Sequence, residues 1–166
     1  MPVWASTLIV AAVALLLIAA AVLGWRSRVR RDAGLAPSHA VPAGLGAPLA
    51  AARVLYVATT AHGEPLERLA IAGLAFRAQG SLAVHAPGLV VALDGGADVW
   101  IEASAAVAAR PATVAIDKAV ETDGLLNLTW RLGDIQVDSY FRVLEPEKSG
   151  SLYDAIDSIT HAESEV

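Results

Sequence analysis

The chain begins with a continuous hydrophobic run that ends near residue 25, and beyond it hydrophobic and polar positions are mixed. Residues 3–25 read VWASTLIVAAVALLLIAAAVLGW, an apolar run with no charged side chain. As a helix rising about 1.5 Å per residue the run is roughly 35 Å long, enough to cross a hydrocarbon core about 30 Å thick. The run therefore predicts a transmembrane anchor over residues 1–25. Trp4 and Trp25 lie near its ends, where indole rings favour the membrane interface.

Two other interpretations of this run compete with the anchor. A cleaved signal peptide has a basic amino-terminal region and a shorter apolar core, whereas residues 1–7 hold no Lys or Arg. A helix that is apolar all round and buried in a soluble domain needs a large core around it. The anchor is favoured over both.

Four arginines follow the run directly and set its predicted orientation: Arg26, Arg28, Arg30 and Arg31. The positive-inside rule places them on the cytoplasmic side, with the amino terminus outside and the rest of the chain inside the cell. Each arginine could also gain about 1 kcal/mol from anionic lipid headgroups. Topology alone is enough to explain the cluster.

Beyond the arginines the pattern predicts a linker and then a β-rich domain. Residues 26–50 combine the basic flank with a Pro-, Gly- and Ala-rich stretch without periodicity, which predicts a flexible linker. Residues 51–161 form the predicted domain, and residues 162–166 form a tail. Turn signals separate short strand candidates, which are residues 53–60, 75–86, 89–93, 99–101 and 113–120.

The last part of the domain predicts a helical turn, a hairpin and a closing helix. The Ala-rich residues 102–110 suggest one helical turn before Pro111. In the hairpin, the apolar positions are Leu126, Leu128, Trp130, Leu132, Ile135, Val137, Phe141 and Val143, and most alternate with polar ones such as Gln136, Asp138, Tyr140 and Arg142. Leu152, Ile156 and Ile159 then recur at helical spacing after Pro146.

About seven short strands and one carboxy-terminal helix resemble a pleckstrin-homology (PH-like) roll. The resemblance implies two antiparallel sheets that pack nearly orthogonally, capped by the final helix. The predicted fold class is therefore one amino-terminal transmembrane helix followed by a mainly-β PH-like roll.

A narrower resemblance covers most of the chain. The matching pieces are the anchor with its arginines, the final helix, and the segments LYVATTAHGEPLERLAIAGLAFRAQGSLAVH and GLLNLTWRLGDIQVDSYFR. They are similar to actinobacterial single-pass membrane proteins with a PH-like domain, encoded among pyrimidine-biosynthesis genes and often labelled export, transporter or membrane proteins. The resemblance implies an architecture and no activity, and a single helix cannot by itself form a transport pathway.

Composition and charge narrow the function classes. Residues 32–166 hold 8 basic residues and 17 acidic ones, a formal charge near −9, which disfavours nucleic-acid binding. The chain has no cysteine, so thiol catalysis and cysteine-ligated metals are excluded. His62, His85 and His161 lack metal-site spacing, and no catalytic signature is present. We expect no enzymatic activity, no metal and no cofactor.

Two aromatic residues on polar strand faces are the candidate interaction surface. Trp100 shares its strand face with Asp98 and Glu102, and Tyr140 shares its face with Asp138 and Arg142. Exposed Trp and Tyr are enriched in binding hot spots, but the alternative, which the sequence favours, is that the final helix or a neighbouring loop covers them.

The sequence thus favours a membrane-anchored adaptor, integral to the cell membrane, that presents its PH-like domain to a protein partner. Two alternatives stay open. One is a lipid or small-ligand sensor that uses the open end of the roll. The other is an accessory subunit whose Ala-rich helix packs on a larger membrane complex.

Overall fold

A computed structural model describes residues 3–32, 34–112, 114–115, 118–119 and 125–162. The chain divides into two compact units, Met1–Gly34 and Leu35–Val166. Residues 35–50, which the sequence assigned to a linker, therefore group with the β-rich unit.

The first unit is one long helix, α1 (Val3–Asp32), which continues past the predicted anchor into the arginine cluster. Within α1, the 21 residues Thr7–Ser27 have a mean hydropathy of 2.8, and none of this span is buried. By length and composition the helix could cross a membrane, and its leucines, isoleucines and valines are exposed in this unit.

The second unit is a strongly curved antiparallel sheet closed by a helix. Its strands are β1 (Ala50–Ala61), β2 (Ala78–His85), β3 (Gly88–Leu93), β4 (Val99–Glu102), β5 (Ala106–Ala112), β8 (Leu125–Leu132) and β9 (Ile135–Val143). A separate hairpin joins β6 (Val114–Ala115) to β7 (Lys118–Ala119). Helix α2 (Ser149–Ala162) follows a short 3₁₀ turn, Pro146–Lys148.

The strand order shows why the sheet must curve. Neighbours run β4-β3-β2-β1-β9-β8-β5, so β4 and β5 are the two edges. In a flat sheet six spacings of about 4.8 Å would separate these edges by roughly 29 Å. Only the 3₁₀ turn Ala103–Ala105 joins β4 to β5, and such a connection spans at most about 14 Å. The sheet therefore rolls until its edges approach each other.

This arrangement confirms the PH-like fold class and corrects the number of sheets. Two sheets were expected, but the seven strands form one hydrogen-bonded sheet. Strand β1 joins the two halves, because it pairs with β2 on one side and with β9 on the other. The helical turn predicted over residues 102–110 is also wrong beyond Ala105, since Ala106–Ala112 form β5. The strand predicted over residues 113–120 is the β6–β7 hairpin where the structure describes it.

Helix α2 closes the core as its pattern predicts. Leu152, Ile156 and Ile159 are buried, and α2 packs mainly against β5 and also against β1. The core inside the roll includes Tyr56 and Phe141, whose ring centroids are 5.7 Å apart. Burying these apolar faces supplies the main driving force for folding of this unit.

A chain of hydroxyl groups crosses this apolar core. The Tyr56 hydroxyl lies 2.7 Å from the carbonyl oxygen of Leu74 and 3.0 Å from Thr59 Oγ1. Thr59 Oγ1 is 2.7 Å from Ser139 Oγ, which accepts a 2.9 Å hydrogen bond from Trp130 Nε1. Burial raises the pKa of Tyr56 to about 12, although its hydrogen bond to Thr59 acts in the opposite direction. The network ties β1, β8 and β9 to the loop after β1.

Candidate functional site: an open sheet edge and an adjoining groove

The β4 edge of the sheet is covered by the chain that leads into the domain. Ser38 forms an isolated antiparallel bridge with Trp100, whose backbone N–H donates to the Ser38 carbonyl at 2.7 Å. The next residue, His39, places Nδ1 2.8 Å from the Asp98 carbonyl oxygen. These contacts extend the sheet beyond β4, so this edge has a partner from the same chain. We call residues 38–39 the strap.

Trp100 is 5% exposed, so of the two alternatives the covered indole is the one observed. The physical reason lies in β3 as well as in the strap. Gly88 has φ of +154°, and a Cβ atom built there would lie 2.8 Å from two carbons of the indole ring. Glycine therefore leaves the space in which the ring lies across β3. The small part of Trp100 that stays accessible lines a groove.

Tyr140 is also 5% exposed, and it is covered for a different reason. It lies on β9, between β1 and β8, and packs with Leu125, Val57 and Ala112 outside the main core. Burial raises the pKa of its phenol. Trp100 and Tyr140 are four strand positions apart in the sheet order, so the structure does not bring them together on one surface.

The groove beside Trp100 lies where the two sheet edges approach each other. It has a volume of about 390 Å³, and its walls include Pro42, Pro87, Trp100, Glu102, Ser104 and Ile159. Ser104 Oγ donates a 3.3 Å hydrogen bond to Glu102 Oε2, and Arg131 donates to the Ser104 carbonyl at 2.8 Å. The walls are thus mostly apolar, with one carboxylate at hydrogen-bonding distance from a hydroxyl.

The β5 edge begins two residues after Ser104. Within the part of the chain that the structure describes, β5 is hydrogen-bonded to one strand, β8. Its sequence is AVAARPA, with small side chains except at Val107 and Arg110, and Val107 is 42% exposed. Pro111 has no N–H to donate, which suits a position at a sheet edge. Helix α2 packs beside this strand.

A second polar cluster joins a histidine to a buried carboxylate. His62 Nδ1 lies 3.1 Å from both carboxylate oxygens of Asp138, which also accepts a 2.7 Å hydrogen bond from Thr129. The sequence does not reveal this pair, because His62 and Asp138 are far apart along the chain and the alternation in β9 places Asp138 on a polar face. Its partners satisfy the buried carboxylate, which would otherwise be costly to bury. No group of three or more His, Asp or Glu side chains suited to a metal ion occurs among the residues described.

The predicted topology residues are partly described. Arg26 and Arg30 are exposed on α1, whereas the side chains of Arg28 and Arg31 lie outside the described part of the chain. One of the arginines of the β1–β2 connection, Arg68, donates to the carbonyl oxygens of Val57 and Ala75 at 3.3 and 3.1 Å. Arg68 therefore holds this loop together.

Comparison with known proteins agrees with this architecture. No curated protein matches the chain. A protein-family model described as Bacterial PH domain-like matches residues 35–157, a range that includes the strap, all seven strands of the sheet and most of α2. Because the match covers well over half of the chain, this protein belongs to the Bacterial PH domain-like family.

Proposed function

We propose that the protein is a non-enzymatic, membrane-anchored adaptor whose PH-like unit binds a protein partner at the inner face of the cytoplasmic membrane. An apolar helix long enough to span a membrane supports the anchor, and the family match supports the PH-like unit. The arginines after residue 25 support a cytoplasmic location for that unit through the positive-inside rule.

The observation that carries this proposal is the open β5 edge. An edge strand presents unpaired N–H and C=O groups, and an extended peptide can add to it as a further strand. Proteins often blunt such edges with charged side chains or with covering chain, and here the strap covers β4. Four of the seven β5 residues are alanine, so few bulky side chains would meet those of an added strand.

Site-specific photo-crosslinking in native membranes tests the proposal. A photoreactive residue at position 107, on β5, should give a discrete crosslinked protein band. The matched control is position 135 in the β8–β9 hairpin, because Ile135 is 37% exposed against 42% for Val107. The 135 probe should give no such band.

A charged substitution on the β5 edge provides a second crosslinking experiment. In full-length chains with the photoreactive residue in place of the exposed Arg110, Val107→Lys should abolish the band, because a charged edge disfavours strand addition. Ile135→Lys in the same chains should leave it unchanged. Equal bands with both substitutions would contradict binding at β5.

A lipid sensor is the second candidate, and one loop favours it. Leu66 and Phe76 in the β1–β2 connection are among the most exposed apolar side chains of this unit, and the exposed Arg77 is next to Phe76. Apolar side chains beside a cation can insert at a membrane interface. In vesicles containing the full chain, Phe76→Ser should then reduce quenching of a fluorophore on this loop by brominated lipids. Unchanged quenching would remove this candidate.

A further inference from the structure

We propose that the groove beside Trp100 binds the side chain of an arginine or lysine from the protein partner. This inference rests on the proposed adaptor function and adds the chemistry of the partner. It concerns a different part of the surface from the β5 backbone, although the two adjoin, because Ala103–Ala105 lead directly into β5.

The charge of the groove selects a cation. Among the described residues that line it, Glu102 carries a negative charge and none is basic. Arg131 lies close by, yet its guanidinium is bonded to the Ser104 carbonyl and is not part of the lining. The formal charge of residues 32–166 is near −9, which would steer a basic partner towards this unit.

The shape and the apolar walls select a long side chain with a charged end. Arginine and lysine bury their aliphatic stems on apolar surfaces while the charged group stays near water. Trp100, Ile159 and two prolines offer such walls, and Glu102 lies where a charged end could pair with it. At about 390 Å³ the groove has room for one long side chain.

The position of the groove relates this side chain to strand addition. A peptide that pairs along β5 and continues beyond Ala106 reaches the 3₁₀ turn that forms one wall of the groove. A partner segment would therefore carry its basic residue next to the stretch that pairs with β5, and not within it.

The test uses the full-length protein in uncharged maltoside micelles with ¹⁵N-labelled tryptophan. The probe is Nα-acetyl-arginine amide, and the matched neutral probe is Nα-acetyl-citrulline amide. The Trp100 indole signal is assigned with Trp100→Phe or, if that variant does not fold, by its nuclear Overhauser contact to Gly88. The arginine probe should shift the Trp100 signal at millimolar concentration, and the citrulline probe should bind at least about fivefold more weakly.

Matched variants locate the interaction. Glu102→Gln keeps the shape and removes the charge, so the arginine probe should bind about fivefold more weakly. Asp134→Asn neutralises an exposed carboxylate in the β8–β9 turn and should leave binding unchanged. Equal binding of the two probes, or an equal response of the two variants, would overturn the proposal. Stronger binding of phosphocholine than of the arginine probe would also overturn it, in favour of a lipid headgroup.

The outcomes separate this inference from the adaptor function. A crosslinked partner at position 107 without a Trp100 response to arginine leaves the adaptor function standing and removes the basic side chain. A Trp100 response that requires Glu102, without a crosslinked partner, supports the cation site and removes the β5 adaptor function.

Discussion

The two edges of the sheet differ in whether the described chain supplies hydrogen-bond partners for their outer backbone groups. At β4 the strap places a carbonyl 2.7 Å from the Trp100 N–H, and His39 contacts the Asp98 carbonyl. At β5 the described chain supplies a strand partner on one side only. Both edges belong to one sheet and are joined by a single 3₁₀ turn, so they share the same core and the same curvature.

The covered edge therefore contributes to the stability of the domain, whereas the open edge is available to bind another chain. The covered edge is built from contacts within the domain, so substitutions there should change folding. The open edge contributes its outer backbone groups to no described strand, so substitutions there should change binding and leave folding nearly intact. Four substitutions, in order of decreasing expected effect on the free energy of unfolding, test this division.

Gly88→Ala should be the most destabilising of the four, because it acts where Trp100 packs beside the covered edge. The new Cβ would clash with the Ile101 carbonyl and the Trp100 ring, and φ is +154°. Overpacking and backbone strain should lower the free energy of unfolding by about 3 kcal/mol, measured by urea unfolding of the full-length protein in micelles. Gly95→Ala is the control, since φ is +81° there but no atom lies within 4 Å, and about 1 kcal/mol is expected. Similar losses would contradict the steric explanation.

Ser139→Ala should weaken both edges alike, because it acts on the core that they share. It removes the hydroxyl between Thr59 and Trp130, which leaves a buried indole N–H without its acceptor. The free energy of unfolding should fall by about 2 kcal/mol, and amide hydrogen exchange should accelerate at both edges of the sheet. Adding Thr59→Val should cost less than the sum of the two single effects, since both substitutions break the same network. Additive losses would argue against a connected network.

His39→Ala should loosen the covered edge alone. It removes the contact between the imidazole and the Asp98 carbonyl beside the bridge from Ser38 to Trp100. With a net value of about 1 kcal/mol for one hydrogen bond, the Trp100 amide should exchange roughly fivefold faster. Amides of the central strand β9 provide the internal control and should keep their rates. Acceleration in β9 as well would mean that the strap is not a local element.

Val107→Lys should have the smallest effect on stability and a large effect on partner binding. Val107 is partly exposed on the open edge, so the free energy of unfolding should stay within about 0.5 kcal/mol of its original value. Thermal unfolding of the full-length variant in micelles measures this. A loss above about 1 kcal/mol would show that β5 has a structural partner on its outer side.

The elements with strong local patterns could be predicted from the sequence. Leu126, Leu128, Trp130 and Leu132 are buried on β8, as their alternation indicates. The same argument was wrong for parts of β9, where Ile135 is exposed and Asp138 is buried. Alternation reports the polarity of successive side chains, whereas burial on a central strand also depends on what covers each face. Nothing in the local pattern identifies His62 and Thr129 as the partners of Asp138.

The open edge and the strap could not be predicted because neither depends on a side-chain pattern. Alanine favours helices, yet Ala108–Ala112 pair with β8, and pairing outweighs that preference. Pro and Gly in residues 32–50 suggested a flexible linker, but Ser38 joins the sheet through its backbone carbonyl, which every residue possesses. The candidate site lies between these two segments, so the sequence predicted Trp100 as part of it but not the strap or the open edge.

The strap also has a mechanical consequence. Any tension that reaches the domain along the chain from α1 first meets Leu35, which packs against the core, and then Ser38 and His39, before it reaches the first main strand at Ala50. These few contacts would therefore bear the load first, and they would yield before the long pairing of β1 with β2 and β9 is strained. Residues 38–49 could then extend while the core of the domain stays folded.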